Sequence, residues 1–337
     1  MAFLVLLYLT VVINIGVSLI VPVMPVLMRN FGFSYGSISI VFFSIVFSRF
    51  IFQNVGGKLI SNVGHARVLI ICFVLHMLTM GIYPFVSSVS AFILIRFLEG
   101  VFEGMASIAL NDLAISLSTK EDRGKKMGCF NSAFGLGCII GPALGALMLK
   151  RFGIKGMFWS AASMSLVGLI GLIATYQILN KIPGRVSNRG FMANFNNAYL
   201  RYFALFGPNF LRRVLLFSLQ IILPLYLLDR FLIGYEKAGY IFSLSGIVST
   251  ILMPLVGSIY VGTNGTDRSY KSVVIGLVLM AVTLASFGFI HNFKFFLVCF
   301  VIETIAFSFM LPAATKVFGD AIEDDQHRGQ IFGFLAV

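Results

Sequence analysis

Charge is what this sequence has least of. Only 11% of its 337 residues are charged, and Asp and Glu together number 13. A soluble domain normally carries about 25% charged residues, so an ordinary water-facing surface is excluded. Cysteine supplies no framework either. Cys72, Cys129, Cys138 and Cys299 lie singly in apolar runs, without the paired spacing of a disulfide scaffold or metal knuckle. His-Glu-x-x-His, a Gly-x-x-x-x-Gly-Lys-Ser/Thr phosphate loop and a Ser/His/Asp set at one membrane depth are also missing. No enzyme, metal site or cofactor is therefore expected, and ATP is not expected to drive a process through this chain.

What the chain has is apolar length. Hydrophobic residues make up 58%, in repeated runs that match the roughly 20 residues needed to cross a bilayer. The sequence predicts an all-α polytopic membrane protein with ten complete spans, near 3–28, 36–57, 68–88, 90–117, 127–149, 157–180, 209–232, 238–261, 272–291 and 294–318. The first 28 residues read as a span, because no basic n-region or small-residue cleavage site frames a short apolar core. An eleventh span begins near Gln330 and the sequence stops within it. A helix ending inside hydrocarbon would leave carbonyls without partners, so a C-terminal truncation is the expectation.

The net charge of +12 does not point to nucleic acid, since the basic residues sit in the breaks between apolar runs. They read as topology signals. With the break after span 2 placed in the cytoplasm, that side collects 16 of the 25 Lys and Arg, including Lys58, Arg67, Arg123, Lys125, Lys126 and Arg185. The positive-inside rule then puts the N-terminus in the cytoplasm of a multi-pass plasma-membrane protein, expected to be a monomer in contact with lipid.

One long polar break, 181–208, separates an N-terminal bundle (1–180) from a C-terminal one (209–337). The halves echo each other. Arg123-Gly124-x-x-x-Gly128 opens span 5 as Arg328-Gly329-x-x-x-Gly333 opens span 11, and Gly57, Gly64 and Arg67 are answered by Gly257, Gly265 and Arg268. Parallel repeats of this kind place a binding site near midplane between the halves.

Span 4 concentrates the intramembrane charge as Arg96, Glu99, Glu103 and, toward its far end, Asp112. At 100° per residue the first three share one stripe. An ionised group at bilayer centre costs at least ~2.5 kcal/mol even on lenient scales, so these must face the protein interior and share charge or protons. Arg96 can hold one carboxylate ionised and leave the other to exchange a proton. A static Arg–Glu pair locking span 4 to its neighbours is the alternative. Glu303 in span 10 is a candidate protonation or cation-binding group of the second half. His76, Asn14, Asn131 and Gln220 are candidates for the wall of a substrate cavity, with packing hydrogen bonds as the alternative. Arg49 in span 2 reads as an anchor to the membrane surface.

Span 5 carries Gly135-Leu-Gly-Cys-Ile-Ile-Gly-Pro-Ala-Leu-Gly-Ala146, in which Ala133, Gly137, Gly141 and Gly145 form a small-residue ridge beside Pro142. In membranes such ridges let helix backbones approach closely. Gly137-x-x-x-Gly141-Pro142-x-x-Gly145 also resembles motif C of the major facilitator superfamily (MFS), in its drug/proton antiporter branch. Arg96-Phe-Leu-Glu99-Gly100 is similar to the family's motif B, with Glu99 where Gln is usual. Gly57-Lys-Leu59-Ile-Ser61-Asn62-Val-Gly64-His65-Ala66-Arg67 is similar to motif A, with Ser61 in place of its Asp, so a latch built on that acid is not expected in the same form.

The resemblance implies two pseudo-symmetric six-helix bundles, with Arg96 taking part in proton coupling. It further implies proton-coupled efflux of small lipophilic molecules or drugs by alternating access, with the proton gradient as driving force. Uptake of a sugar, organic acid or peptide is the alternative within transporters. A non-transporting receptor or structural protein is the alternative outside them.

Overall fold

The computed structural model describes residues 1–118, 123–182, 214, 218–261 and 266–321. Among them no strand occurs. The order is α1 (Ala2–Ser18), α2 (Met24–Asn30), α3 (Tyr35–Val63), α4 (His65–Ile82), a 3-10 turn (Tyr83–Phe85), α5 (Val89–Ser116), α6 (Arg123–Ala174) and α7 (Tyr176–Leu179). Residues 218–231 are helical (α8), followed by α9 (Tyr235–Val261), α10 (Thr266–Phe287) and α11 (Phe293–Ala321). Among the described residues four stretches are long and apolar enough to cross a membrane: Tyr35–Gly57, His65–Phe85, Cys129–Ala174 and Phe293–Leu311. Ala2–Ser18, Lys237–Met253 and Lys271–Phe287 are shorter apolar helices.

One expected span differs in detail. The run 3–28 is not one helix. Pro22 and Pro25 remove backbone donors, and α1 gives way to turns before α2 resumes at Met24. Spans 5 and 6 follow each other directly as the two arms of α6. Gly153, at φ 68 and ψ −173, is the non-helical joint that divides it into two arms. Only glycine takes that backbone readily.

The chain forms two compact units, Met1–Gly190 with Ile233–Ser243, and Phe191–Leu232 with Leu244–Val337. In the first, α3 lies along α5, α1 along α6, and α4 against both α5 and α6. Small residues make these contacts possible. On α5, a methyl group added to Gly100 would collide with Ser48 Oγ and Ile45 O of α3. One on Gly104 would sit 2.7 Å from Arg49 O and 2.9 Å from Gln53 N.

The ridge of span 5 meets α1 in the same way. Gly137 faces Asn14, Gly141 faces Ser18 and Ile15, and Gly145 faces the backbone of Leu19. Pro142 cannot donate to the carbonyl of Cys138, four residues back. Hydroxyls from other helices reach the carbonyls on either side of that gap. Ser18 Oγ donates to Gly137 O at 2.9 Å, and Ser243 Oγ, on the first turns of α9, donates to Ile139 O at 3.0 Å. Gly239 lets the same part of α9 approach Pro142 O. The break in the helix is thus held in shape by neighbours.

The start of α4 and the end of α5 are joined by a buried hydrogen bond. His65, first residue of α4 and fully buried, places Nε2 2.7 Å from Asp112 Oδ2. Gly64 before it adopts φ 86, which starts α4 in a new direction from α3. Arg67 Nε donates to Tyr176 Oη at 3.1 Å, tying α4 to α7.

In the second unit α10 packs on α11 through Gly276, whose added methyl would lie 2.7 Å from Met310 Cβ. Met280, Ala306 and Met310 are buried between the two helices. Tyr226 and Phe231 of α8 join Phe287, Phe293, Phe296 and Phe300 in a chain of ring contacts at 5.0–6.3 Å.

The ridge is testable against an open glycine. Gly141→Ala is expected to lower stability by about 1–3 kcal/mol, the usual cost of overpacking. Gly81→Ala in α4, where a methyl meets nothing within 4 Å, is expected to be neutral or stabilising, because Ala favours helix over Gly. Thermal unfolding of the two purified variants, followed by circular dichroism, checks both.

Candidate functional site

Because α5 seats its glycines on α3, the charged stripe of α5 is brought against α3 and the end of α4. Side chains on a helix lean toward its N-terminus, so Arg96, Glu99 and Glu103 all reach back toward the 3-10 turn. Arg96 is 4% and Glu99 1% exposed. Arg96 Nη1 and Glu99 Oε2 are 2.9 Å apart, an i,i+3 pair along one helix. Tyr83, 2% exposed in the 3-10 turn, donates its hydroxyl to Glu99 Oε2 at 2.7 Å. The Arg96 guanidinium lies 5.1 Å from the ring centroid of Phe42 and 5.7 Å from that of Tyr83. Aromatic faces attract a desolvated guanidinium. Its Nε and Nη2 are buried without a hydrogen-bond partner.

One turn further along, Glu103 accepts from Arg49 Nη1 at 3.3 Å. Arg49 was expected to anchor α3 at the membrane surface. Instead it points into the bundle, because Gly104 lets α3 and α5 touch at its backbone. Two Arg–Glu pairs therefore share one face of the α3–α5 contact. Each guanidinium has one carboxylate, and a proton added to either acid changes the charge balance of the whole cluster. A buried pair that loses one partner leaves an uncompensated charge, which costs about 3–5 kcal/mol.

The other residues singled out in the sequence occupy separate places. Asp112 belongs to the His65 pair at the opposite end of α5. His76 is fully buried on α4. Its Nδ1 hydrogen-bonds Ser165 Oγ of the second arm of α6, its ring lies 4.4 Å from that of Phe102, and its Nε2 has no partner. Asn14 donates Nδ2 to Thr10 O at 2.7 Å within α1, beside Gly137. Asn131 is exposed and Gln220 half-buried. Gly57 is buried, whereas the Ser61 side chain lies outside the described residues, as do Arg328, Gly329 and the rest of span 11. In the second unit Glu303 is 4% exposed and finds no hydrogen bond or ion pair among the described residues. Its neighbours along α11, Thr304 and Ser308, bond back to Phe300 O and Thr304 O, and Ser308 Oγ lies 3.3 Å from Ser249 Oγ of α9.

Tyr83, Phe42 and His65 did not stand out in the sequence. The Tyr83-Pro84-Phe85 break beside a charged span was a signal for the first, since a short turn returns the chain past it. His65 lay within the Gly57–Arg67 segment, but nothing there named its partner.

Comparisons with known proteins bear on the family and the fold. The chain is 23% identical over 333 residues to an uncharacterised MFS-type transporter of Methanocaldococcus jannaschii, covering 95% of this chain and 83% of that protein. It is 25% identical over 309 residues to Multidrug resistance protein 2 of Bacillus subtilis, covering 89% and 76%. A crystal structure of a bacterial homologue of the human lysosomal transporter Spinster superposes with a TM-score of 0.73 at 12% identity, covering 99% of this chain and 77% of that one. Residues 6–337 match the model of the Major Facilitator Superfamily. With an all-α membrane fold of the same kind and the Arg96 and Gly137–Gly145 motifs in their expected helices, the chain belongs to the Major Facilitator Superfamily, a family of membrane transporters.

Proposed function

We propose that this transporter exports small lipophilic molecules in exchange for protons, by alternating access between two half-transporter bundles. The carrying observation is the buried cluster Arg96–Glu99–Tyr83 with Arg49–Glu103 beside it. Charges in hydrocarbon are costly and mark ion pathways or proton relays. A purely structural lock would need one pair, whereas two acids and two bases on one face provide a carboxylate that can exchange a proton while the other stays paired. The multidrug resistance named for the Bacillus relative supports a lipophilic cargo. The distribution of Lys and Arg supports an N-terminus on the cytoplasmic side of the plasma membrane. In the second unit, Glu303 is assigned to cation recognition or protonation, as an acid without a fixed cationic partner among the described residues.

Proteoliposomes loaded with the dye Hoechst 33342 provide the test. Transport by the full-length chain is expected to follow an imposed proton gradient and to stop when a protonophore collapses it. Glu99→Gln is expected to remove the gradient-dependent component while leaving downhill dye movement. Transport that persists unchanged without a gradient overturns proton coupling.

Glu303→Gln separates charge recognition from coupling. It is expected to raise the half-saturating concentration of a cationic dye about tenfold, equivalent to 1.4 kcal/mol, and to leave that of a neutral dye of similar size unchanged.

A further inference from the structure

Tyr83 stands where three structural features meet. It is the first residue of the 3-10 turn that ends α4, and Pro84 after it prevents the helix from continuing. Its ring stacks on Phe158 of the second arm of α6 at 4.8 Å and 18°, and lies 5.7 Å from Phe92 of α5. Phe92 in turn meets Phe33 edge-on at 5.5 Å and Phe31 at 6.0 Å, in the segment between α2 and α3. These rings form an aromatic cap over one end of the first unit. Phe92 and Phe158 are fully buried in it. The one polar link from this cap into the charged cluster, among the described residues, is the Tyr83 hydroxyl on Glu99.

We propose that Tyr83 is a positioning residue that ties the ionisation state of Glu99 to the aromatic cap at its end of the bundle. This rests on the reading of Glu99 as a proton-exchanging group. A hydroxyl donating to a carboxylate makes a charge-assisted bond, roughly twice as strong as one to a neutral acid. Protonation of Glu99 therefore loosens the tether, and ionisation tightens it. Because Tyr83 is locked by stacking to α6 and by its turn to α4, the tether transmits that change to the ends of α4 and α5 and to the second arm of α6 together. The other charged groups around the pair are Arg96 and Glu103 on α5, with Arg49 of α3 paired to Glu103. The α6 arm presents Phe158 there.

Tyr83→Phe deletes the hydroxyl and keeps the ring. Infrared difference spectra recorded across a pH titration of the full-length chain in liposomes read the carboxyl directly, without a substrate. The protonated-carboxyl band of Glu99 is identified by its loss in Glu99→Gln. In Tyr83→Phe this band is expected to move to higher frequency, as it loses a hydrogen bond. Its titration midpoint is expected to shift by about one pH unit, the scale of one hydrogen bond to a charged group. Phe158→Leu, which loosens the ring packing but spares the hydroxyl, is expected to leave band and midpoint in place. An unchanged band and midpoint in Tyr83→Phe overturn the tether, as does an equal shift in Phe158→Leu. If Glu99→Gln removes no titrating band, the proton-exchange reading itself falls, and the tether with it.

Discussion

A guanidinium inside hydrocarbon has no water to solvate it, and the first unit is arranged around meeting that need for Arg96. The Glu99 carboxylate supplies the charge, the rings of Phe42 and Tyr83 supply polarisable faces, and the Tyr83 hydroxyl satisfies the acid in turn. These four groups come from α3, α5 and the turn after α4, so the three elements must approach closely enough to enclose one charge. Gly100 and Gly104 make that approach possible, since a side chain at either would push α3 off α5. The motif Arg96-x-x-Glu99-Gly100 is therefore one unit of design: the charged residues require a tight contact, and the glycine beside them permits it.

The same logic operates on the other side of the unit with no charge involved. Packing of helices in a membrane depends on backbone approach and on hydrogen bonds across the contact. Gly137, Gly141 and Gly145 bring α1 close, and that closeness lets Ser18 reach the carbonyl of Gly137. Pro142 would leave a poorly satisfied segment if it faced lipid. With Ser18 on Gly137 O and Ser243 on Ile139 O, it becomes a bend whose flanking carbonyls have partners from other helices. Bend and ridge thus depend on each other.

The periodicity of the sequence made much of this legible. The common face of Arg96, Glu99 and Glu103 and the ridge of Gly137, Gly141 and Gly145 follow from 100° per residue along one helix, and both are found on single faces. Which helix each face meets did not follow, because small residues state that something comes close without stating what. Arg49 illustrates the limit: its distance from the end of α3 is compatible with reaching the membrane surface, and only the seating of α3 on Gly104 turns it toward Glu103. His65 and Asp112 are 47 residues apart in the chain, and their pairing depends on α4 and α5 being antiparallel neighbours in the right register. Tyr83 is the clearest omission. Aromatic residues are abundant here, 36 of them Phe, so a tyrosine near a helix end carries little signal until its hydroxyl is placed.

Glu99 and Glu303 are nearly equally buried, yet their surroundings are opposite. Glu99 is contacted by Arg96 and Tyr83, whereas Glu303 has no hydrogen bond or ion pair among the described residues, and the hydroxyls of Thr304 and Ser308 on its helix are bonded to carbonyls of that helix. An acid surrounded by fixed partners can exchange a proton only if those partners rearrange, which links proton exchange to movement of the helices that carry them. An acid without fixed partners can accept a proton or a cationic group with little rearrangement. On the proposed reading the two carboxylates serve different tasks: the one in the first unit couples protonation with conformation, and the one in the second meets a mobile positive charge.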